Sequence, residues 1–189
     1  MKTAISGSAT PSVQKGSDVS QMVIHALPVA GGILAICPLP GRGGSYAEDI
    51  EHLHEWRPSL VVSLATQPEL VAEGAETLGQ DMQDRGSRWV HLPIPDFGVP
   101  DAATARKWDD TSQIALAALR GGGRVLVHCM GGCGRSGMIA LRLMIEAGEA
   151  PARALDRLRH VRPCAIETDA QMEWAIKVRP PEFIHRGGR

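Results

Sequence analysis

Short apolar runs of strand length alternate along this chain with longer stretches in which apolar residues recur at helical spacing. Residues 22–27 and 33–37 are two such runs on either side of Gly31-Gly32, a pattern that predicts a β-hairpin at the start of the fold. Ser45 followed by Glu48 is a capping-box signature for a helix ending near Trp56, ahead of Pro58. Residues 60–64 read as a buried strand. Thr66 with Glu69 forms a second capping box, opening helical sequence that continues to about Arg85 with a break near Gly74 or Gly79. Residues 88–94 are the next predicted strand.

From Ala102 to Leu119, Trp108, Ile114, Ala115, Ala118 and Leu119 mark one face of an amphipathic helix, closed by Gly121-Gly122-Gly123. Residues 124–128 follow as an almost wholly apolar strand. A glycine-rich loop, an apolar helix over 136–147 and two further helices over 151–160 and 169–178 complete the pattern. Strands alternating with helices predict an α/β fold: a central, mostly parallel sheet of about five strands, helices on both faces and an N-terminal β-hairpin. Residues 21–179 are expected to form the single domain, with 1–20 a polar leader rich in Ser, Thr and Gly, and 180–189 a frayed tail.

Composition narrows the function classes. A formal charge of -1 on 189 residues creates no field that would gather nucleic acid or an anionic membrane, so neither is expected as a partner. No apolar stretch in the first twenty residues is long enough for a signal peptide or a span, which suggests a cytoplasmic protein. Cys37, Cys129, Cys133 and Cys164 lack the paired short spacings of a zinc site and are too few for a disulfide scaffold. A reducing compartment and no metal are therefore expected.

The chemistry concentrates in His128-Cys129-Met130-Gly131-Gly132-Cys133-Gly134-Arg135-Ser136, between the apolar strand and the apolar helix. Ligands of open α/β sheets bind beyond the carboxyl ends of the strands, where this loop must lie. A Gly-rich connection lets the backbone amides of Met130, Gly131, Gly132, Cys133, Gly134 and Arg135 converge, and the following helix dipole adds positive potential, so the loop suits a tetrahedral dianion. The same field favours a thiolate at Cys129, making it a nucleophile. Arg135 offers a planar fork to two phosphate oxygens, and Ser136 a hydroxyl to the departing thiolate. No lysine follows the glycines, so triphosphate binding of the Walker type is not supported.

This loop resembles the signature of the cysteine-dependent protein tyrosine phosphatase superfamily. Pro95-Asp96-Phe97-Gly98-Val99-Pro100 looks like that family's mobile acid loop, with Ile94 where tyrosine-specific members usually have Trp. Arg162-Pro163-Cys164-Ala165-Ile166-Glu167-Thr168 followed by Gln171 looks like the segment that places the hydrolytic water, with Cys164 where members often carry Gly. The order of segments, with Cys37-Pro38-Leu39-Pro40-Gly41, is most similar to the dual-specificity branch that includes the kinase-associated phosphatase. The resemblance implies hydrolysis of phosphorylated protein side chains or phosphopeptides through a phosphocysteine, without a cofactor. Asp96 would be the general acid, although Pro-Asp-Phe-Gly is also ordinary turn sequence; Asp101 is a rival that suits a helix cap better. Gln171 would orient water, yet it also completes a capping box with Thr168. His128 is expected to support the loop by hydrogen bonding rather than proton transfer.

Rhodanese-type sulfur transfer or arsenate reduction would need the cysteine loop but not Asp96. A phosphate-binding pseudophosphatase generally lacks the cysteine or the acid, and both are present. The absence of Lys from Met130 to Gly134 argues against phosphoinositides, whose several phosphates favour extra cations. A last expectation is redox control: Cys133 or Cys164 would capture oxidised Cys129 as a disulfide, unless Cys133 points away from the pocket and Cys164 merely replaces a glycine.

Overall fold

Residues 25–37 turn back on themselves through Ala30 and Gly31, whose φ values of 51° and 95° suit a two-residue hairpin turn. The pair consists of β1 (His25–Val29) and β2 (Gly32–Cys37), antiparallel as expected. The turn sits one residue earlier than Gly31-Gly32. Gly32 instead opens β2, because a Cβ there would lie 2.6 Å from the Leu119 carbonyl oxygen. The computed structural model describes residues 22–178, so the expected leader and tail lie outside the described residues.

The remaining strands, β3 (Leu60–Ser63), β4 (Arg88–His91) and β5 (Arg124–His128), join the hairpin in a five-stranded sheet of order β1-β2-β5-β3-β4. All pairings except β1 with β2 are parallel. Alternation sorts the side chains of the central strands: Leu34, Ile36, Leu60, Val62, Val125 and Val127 enter one core, and Ala35, Cys37, Val61 and Leu126 the other. Helices α1 (Tyr46–Trp56), α2 (Gln67–Ala72) and α3 (Leu78–Asp84) cover the second core. Helices α4 (Ala102–Arg120), α5 (Gly134–Glu146), α6 (Pro151–Val161) and α7 (Asp169–Ile176) cover the first. The α/β class, the mostly parallel sheet and the hairpin are therefore as the pattern predicts.

Of the two breaks expected after Thr66 the chain takes the first, and the end of β4 departs from expectation, each for a physical reason. The helical sequence after Thr66 breaks at Gly74, which takes φ 65°, while the Ala75 amide closes the end of α2 on the Leu70 carbonyl. Gly79 stays inside α3 because the Trp89 ring packs where its Cβ would be, at 2.7 Å. Strand β4 ends at His91 although the Leu92 and Ile94 amides still donate to the Ser63 and Leu64 carbonyls; Pro93, which has no N–H, interrupts the ladder between them.

The buried face of α4 also differs. It consists of Thr104, Trp108, Thr111, Ser112, Ala115, Leu116 and Leu119, whereas Ile114 is 36% exposed. Thr111 and Ser112 can face the core because their hydroxyls donate to the helix's own carbonyls at Lys107 and Asp109. Among the described residues, no helix is long and apolar enough to cross a membrane.

The parallel strands share one consequence for function. Register aligns Cys37 of β2 and Ser63 of β3 with His128 of β5, so the connections that follow all three emerge at one edge of the sheet. The corrected helix face makes a stability prediction. Trp108→Ala, at a site 1% exposed, is expected to cost about 3–5 kcal/mol in urea unfolding. Ile114→Ala is expected to stay within about 0.5 kcal/mol of wild type; comparable losses would restore the face read from the apolar spacing.

Candidate active site

The loop between β5 and α5 holds its carbonyls outward. The Met130 carbonyl accepts from the Leu39 amide at 3.2 Å. Arg162 takes the next two, with Nη2 donating to Gly131 O at 2.9 Å and Nε to Gly132 O at 3.1 Å. In a trans peptide the N–H points opposite to the preceding carbonyl, so these anchors turn the amides of Gly131, Gly132 and Cys133 toward the loop's concave side. Among the described residues none of these three amides donates to another group. Close packing enforces the shape: Gly132 has φ 64°, and a Cβ there would press on the backbone of Cys37 and Pro38. Gly134 opens α5, and a Cβ there would meet the Glu167 carboxylate and the Gln171 amide.

Cys129 lies at the base of this cradle, 2% exposed. His128 behind it is fully buried, with Nε2 2.5 Å from Ser63 Oγ, which also accepts from Trp89 Nε1 at 2.7 Å. Burial drives the His128 imidazole down to about 4, helped by the electrostatic influence of neighbouring His91 and Arg135 and opposed by a hydrogen bond with the Cys129 backbone. It is therefore neutral at neutral pH. Cys37 is buried nearby; its thiol is pushed up by burial and by the Cys129 and Asp49 charges, so it stays protonated as a core residue.

Arg135 is only 2% exposed. Its two Nη atoms form a bidentate pair with Glu69 at 2.9 and 2.8 Å, and Nη1 also donates to Ile94 O at 2.9 Å. Asp96 Oδ1 approaches Nη2 at 3.1 Å. Arg135 Nε and Ser136 Oγ are buried with no hydrogen-bond partner among the described residues. The sequence identifies Glu69 only as a helix cap, and it does accept from the Thr66 amide and hydroxyl at 2.7 and 2.9 Å. The same carboxylate aims the arginine, a second role that no local pattern signals. Burial alone would raise the Glu69 carboxyl, but hydrogen bonds from Arg135 and Thr66 outweigh it and hold its pKa at about 2.

Asp96 sits in the loop after β4, with its side chain 57% exposed. The turn closes through Gly98 N–H to Pro95 O, and Phe97 takes φ 56°. Gln171 pins the turn down: fully buried, it donates from Nε2 to Gly98 O at 3.3 Å and accepts at Oε1 from the Glu167 amide at 3.0 Å. Its own amide donates to Thr168 Oγ1, so the capping geometry is also present. Asp101 caps α4 through Thr104 N–H at 2.7 Å, a bond that lowers its carboxyl. The fold thus brings Asp96 to Arg135 and gives Asp101 to the helix.

The cysteines pair differently from the expected capture of Cys129. Cys133 is disulfide-bonded to Cys164 across a sequence separation of 31, with Cα atoms 5.3 Å apart. The pair forms because Arg162 and the Ile166 amide, which reaches the Cys133 carbonyl, bring the two segments together. Neither cysteine bonds to Cys129; Cys129 and Cys37 are the free thiols. Cys133 therefore offers the loop its amide, while its sulfur faces Cys164 and Arg162.

Comparison with known proteins bears on this geometry. The family described as PTP-SAK, Swiss Army Knife protein, DSP-PTPase phosphatase domain, matches residues 42–176. The chain belongs to this dual-specificity phosphatase family. It is 32% identical over 153 residues to the mouse (Mus musculus) protein named cyclin-dependent kinase inhibitor 3, covering 77% of this chain and 71% of that one. The crystal structure of kinase associated phosphatase with its catalytic-site cysteine changed to serine superposes with a TM-score of 0.73 at 26% identity, covering 83% of this chain and 93% of that one. Tk-PTP in its active form gives 0.63 at 30% identity, with 79% and 92% covered. The enzyme is accordingly a cysteine-dependent phosphatase of the protein-tyrosine and dual-specificity kind, a class that works through a phosphocysteine.

Two measurements check the supports of this site. The depressed Glu69 carboxyl adds stability that is present above its ordinary value of 4.5 and lost as pH falls toward about 2. Urea unfolding at about pH 5 and about pH 2.5 is expected to show a smaller acid loss for Glu69→Gln than for wild type; equal losses would uncouple Glu69 from Arg135. The disulfide should contribute about 3–4 kcal/mol, given the length of the loop it closes. Dithiothreitol is therefore expected to lower the thermal midpoint of wild type to that of Cys164→Ala and to leave the variant unchanged.

Proposed function

We propose that Cys129, Arg135, Asp96, Ser136 and Gln171 carry out the phosphatase reaction on phosphorylated protein side chains. The observation that supports this most directly is the set of inward amides above Cys129, joined by two buried donors, Arg135 Nε and Ser136 Oγ, that have no partner among the described residues. A phosphoryl group in that cradle accepts from the amides and from Arg135, which Glu69 holds in place. The Cys129 thiolate attacks phosphorus in line, and the bond to the ester oxygen breaks with its electron pair. Asp96, beside Arg135 at the pocket mouth, gives its proton to that departing oxygen.

In the second step water attacks the phosphocysteine, Asp96 takes back a proton, and the thiolate leaves with a hydrogen bond from Ser136. Inorganic phosphate is released and the enzyme is restored. Gln171, whose amide abuts Gly134 at the loop, orients the water. His128, neutral and bonded to Ser63, supports the start of the loop and transfers no proton. The mouse relative's name ties that protein to a kinase; a phosphorylated protein or phosphopeptide is the corresponding substrate class proposed here. The loop residues from Met130 to Gly134 carry no cationic side chain, so the loop itself suits a single phosphate, as on a phosphorylated protein side chain.

The test is hydrolysis of aryl phosphates and phosphopeptides in the presence of chelator. Cys129→Ser is expected to lose turnover completely, and sustained activity in the purified variant would remove Cys129 from the reaction. Asp96→Asn is expected to slow phosphates with basic leaving oxygens by about 10²–10⁴ while sparing those with very acidic leaving groups. Equal slowing across leaving groups would make Asp96 a structural residue.

A further inference from the structure

Among the described residues three arginines touch the anion loop, and two of them are paired with other protein groups. Arg135 is paired with Glu69 and Asp96. Arg162 is bonded to the Gly131 and Gly132 carbonyls, Cys133 Sγ and His25. The third is Arg42, in the connection between β2 and α1. Its Nη1 lies only 2.9 Å from where a Cβ on Gly131 would be, so the guanidinium rests against the loop's backbone. It is solvent-exposed, and among the described residues its side chain has no hydrogen bond or ion pair.

The backbone beneath this cation is fixed. Gly41 takes φ 93° and its amide donates to Asp49 Oδ2 at 2.9 Å, while a Cβ there would lie 2.7 Å from the Glu73 carbonyl oxygen. The Arg42 amide donates to Leu39 O and the Gly44 amide to Gly41 O. Leu39 in turn donates to the Met130 carbonyl, tying this turn to the anion loop itself. A held backbone thus carries a guanidinium to the rim of an anion site, with no carboxylate paired to it among the described residues.

We propose that Arg42 is a specificity-determining residue that recognises a second anionic group on the substrate, a carboxylate or a further phosphate next to the phosphorylated side chain. This rests on the protein-substrate reading and deepens it. The phosphoryl group itself is provided for by the inward amides, Arg135 Nε and Ser136. Arg42, exposed at the rim, meets whatever flanks the phosphoryl group. Its planar fork matches the paired oxygens of a carboxylate or phosphate. Gly131 serves this arrangement because any side chain there would displace the guanidinium.

The experiment compares kcat/KM for four phosphopeptides of one sequence that differ only beside the phosphoresidue: Ala, Asp, Lys or a second phosphoresidue. Wild type is expected to prefer the Asp and doubly phosphorylated peptides over Ala by about three- to fivefold, as for an exposed ion pair, and the preference should shrink at high salt. Arg42→Ala should remove the preference and Arg42→Glu should shift it toward Lys. The unfolding midpoint of each variant, expected to match wild type, shows that the change is local. Equal rates for all four peptides with wild type, or a preference that survives in Arg42→Ala, would overturn the inference while leaving the phosphatase assignment intact. Rates that rise with the doubly phosphorylated peptide alone would assign Arg42 to phosphate, and with both acidic peptides to either oxyanion. Hydrolysis of an aryl phosphate and of phosphoinositide vesicles, but of none of the peptides, would instead overturn the protein-substrate reading and this inference with it.

Discussion

A loop that receives a dianion on its backbone amides must leave those amides unbonded, and a chain satisfies that only when the opposing carbonyls are held elsewhere. Here the Met130, Gly131 and Gly132 carbonyls are held by Leu39 and Arg162, which come from the far sides of the same sheet edge. The close packing of Gly132 on Cys37 and Pro38, the turn carrying Arg42 and the Cys133–Cys164 bond all lie on this outer surface of the loop. The convex side of the loop is therefore saturated with protein contacts so that its concave side can remain free.

The same division governs charge. Arg135 is buried, and an unpaired guanidinium there would be expensive. Glu69 neutralises its Nη face in bidentate geometry and leaves Nε without a partner among the described residues. The pairing both lowers the cost of burial and fixes the orientation of the remaining donor. Asp96 adds its carboxylate to the same guanidinium at 3.1 Å, so the proposed acid and the arginine proposed to bind phosphate are positioned by one another. Gln171 holds the acid loop from beneath by its amide, and abuts Gly134 with the same group.

Much of the fold was legible because its signals are local. The short apolar runs at 33–37, 60–64 and 124–128, the caps at Ser45, Thr66, Asp101 and Thr168, and the glycines closing helices report on neighbours a few residues apart. Errors arose where a distant group decided. Gly32 enters β2 because Leu119 leaves no room for a side chain, and Ile114 faces solvent because α4 rests on the sheet through Trp108 and its threonine and serine neighbours. Apolar spacing alone could not choose between those faces.

Of the site, the amino-acid sequence by itself determined the loop from His128 to Ser136, its place beyond a buried parallel strand and the presence of an acidic turn at Asp96, since these depend on contiguous residues. Tertiary structure alone decided which carboxylate pairs with Arg135, which cysteines bond and which cation lies against Gly131. Glu69 and Arg135 are far apart in the chain, as are Cys133 and Cys164, and Arg42 reaches Gly131 from another connection altogether. Each of these is a contact across the sheet edge, and the edge exists only once β2, β5 and β3 lie side by side in register.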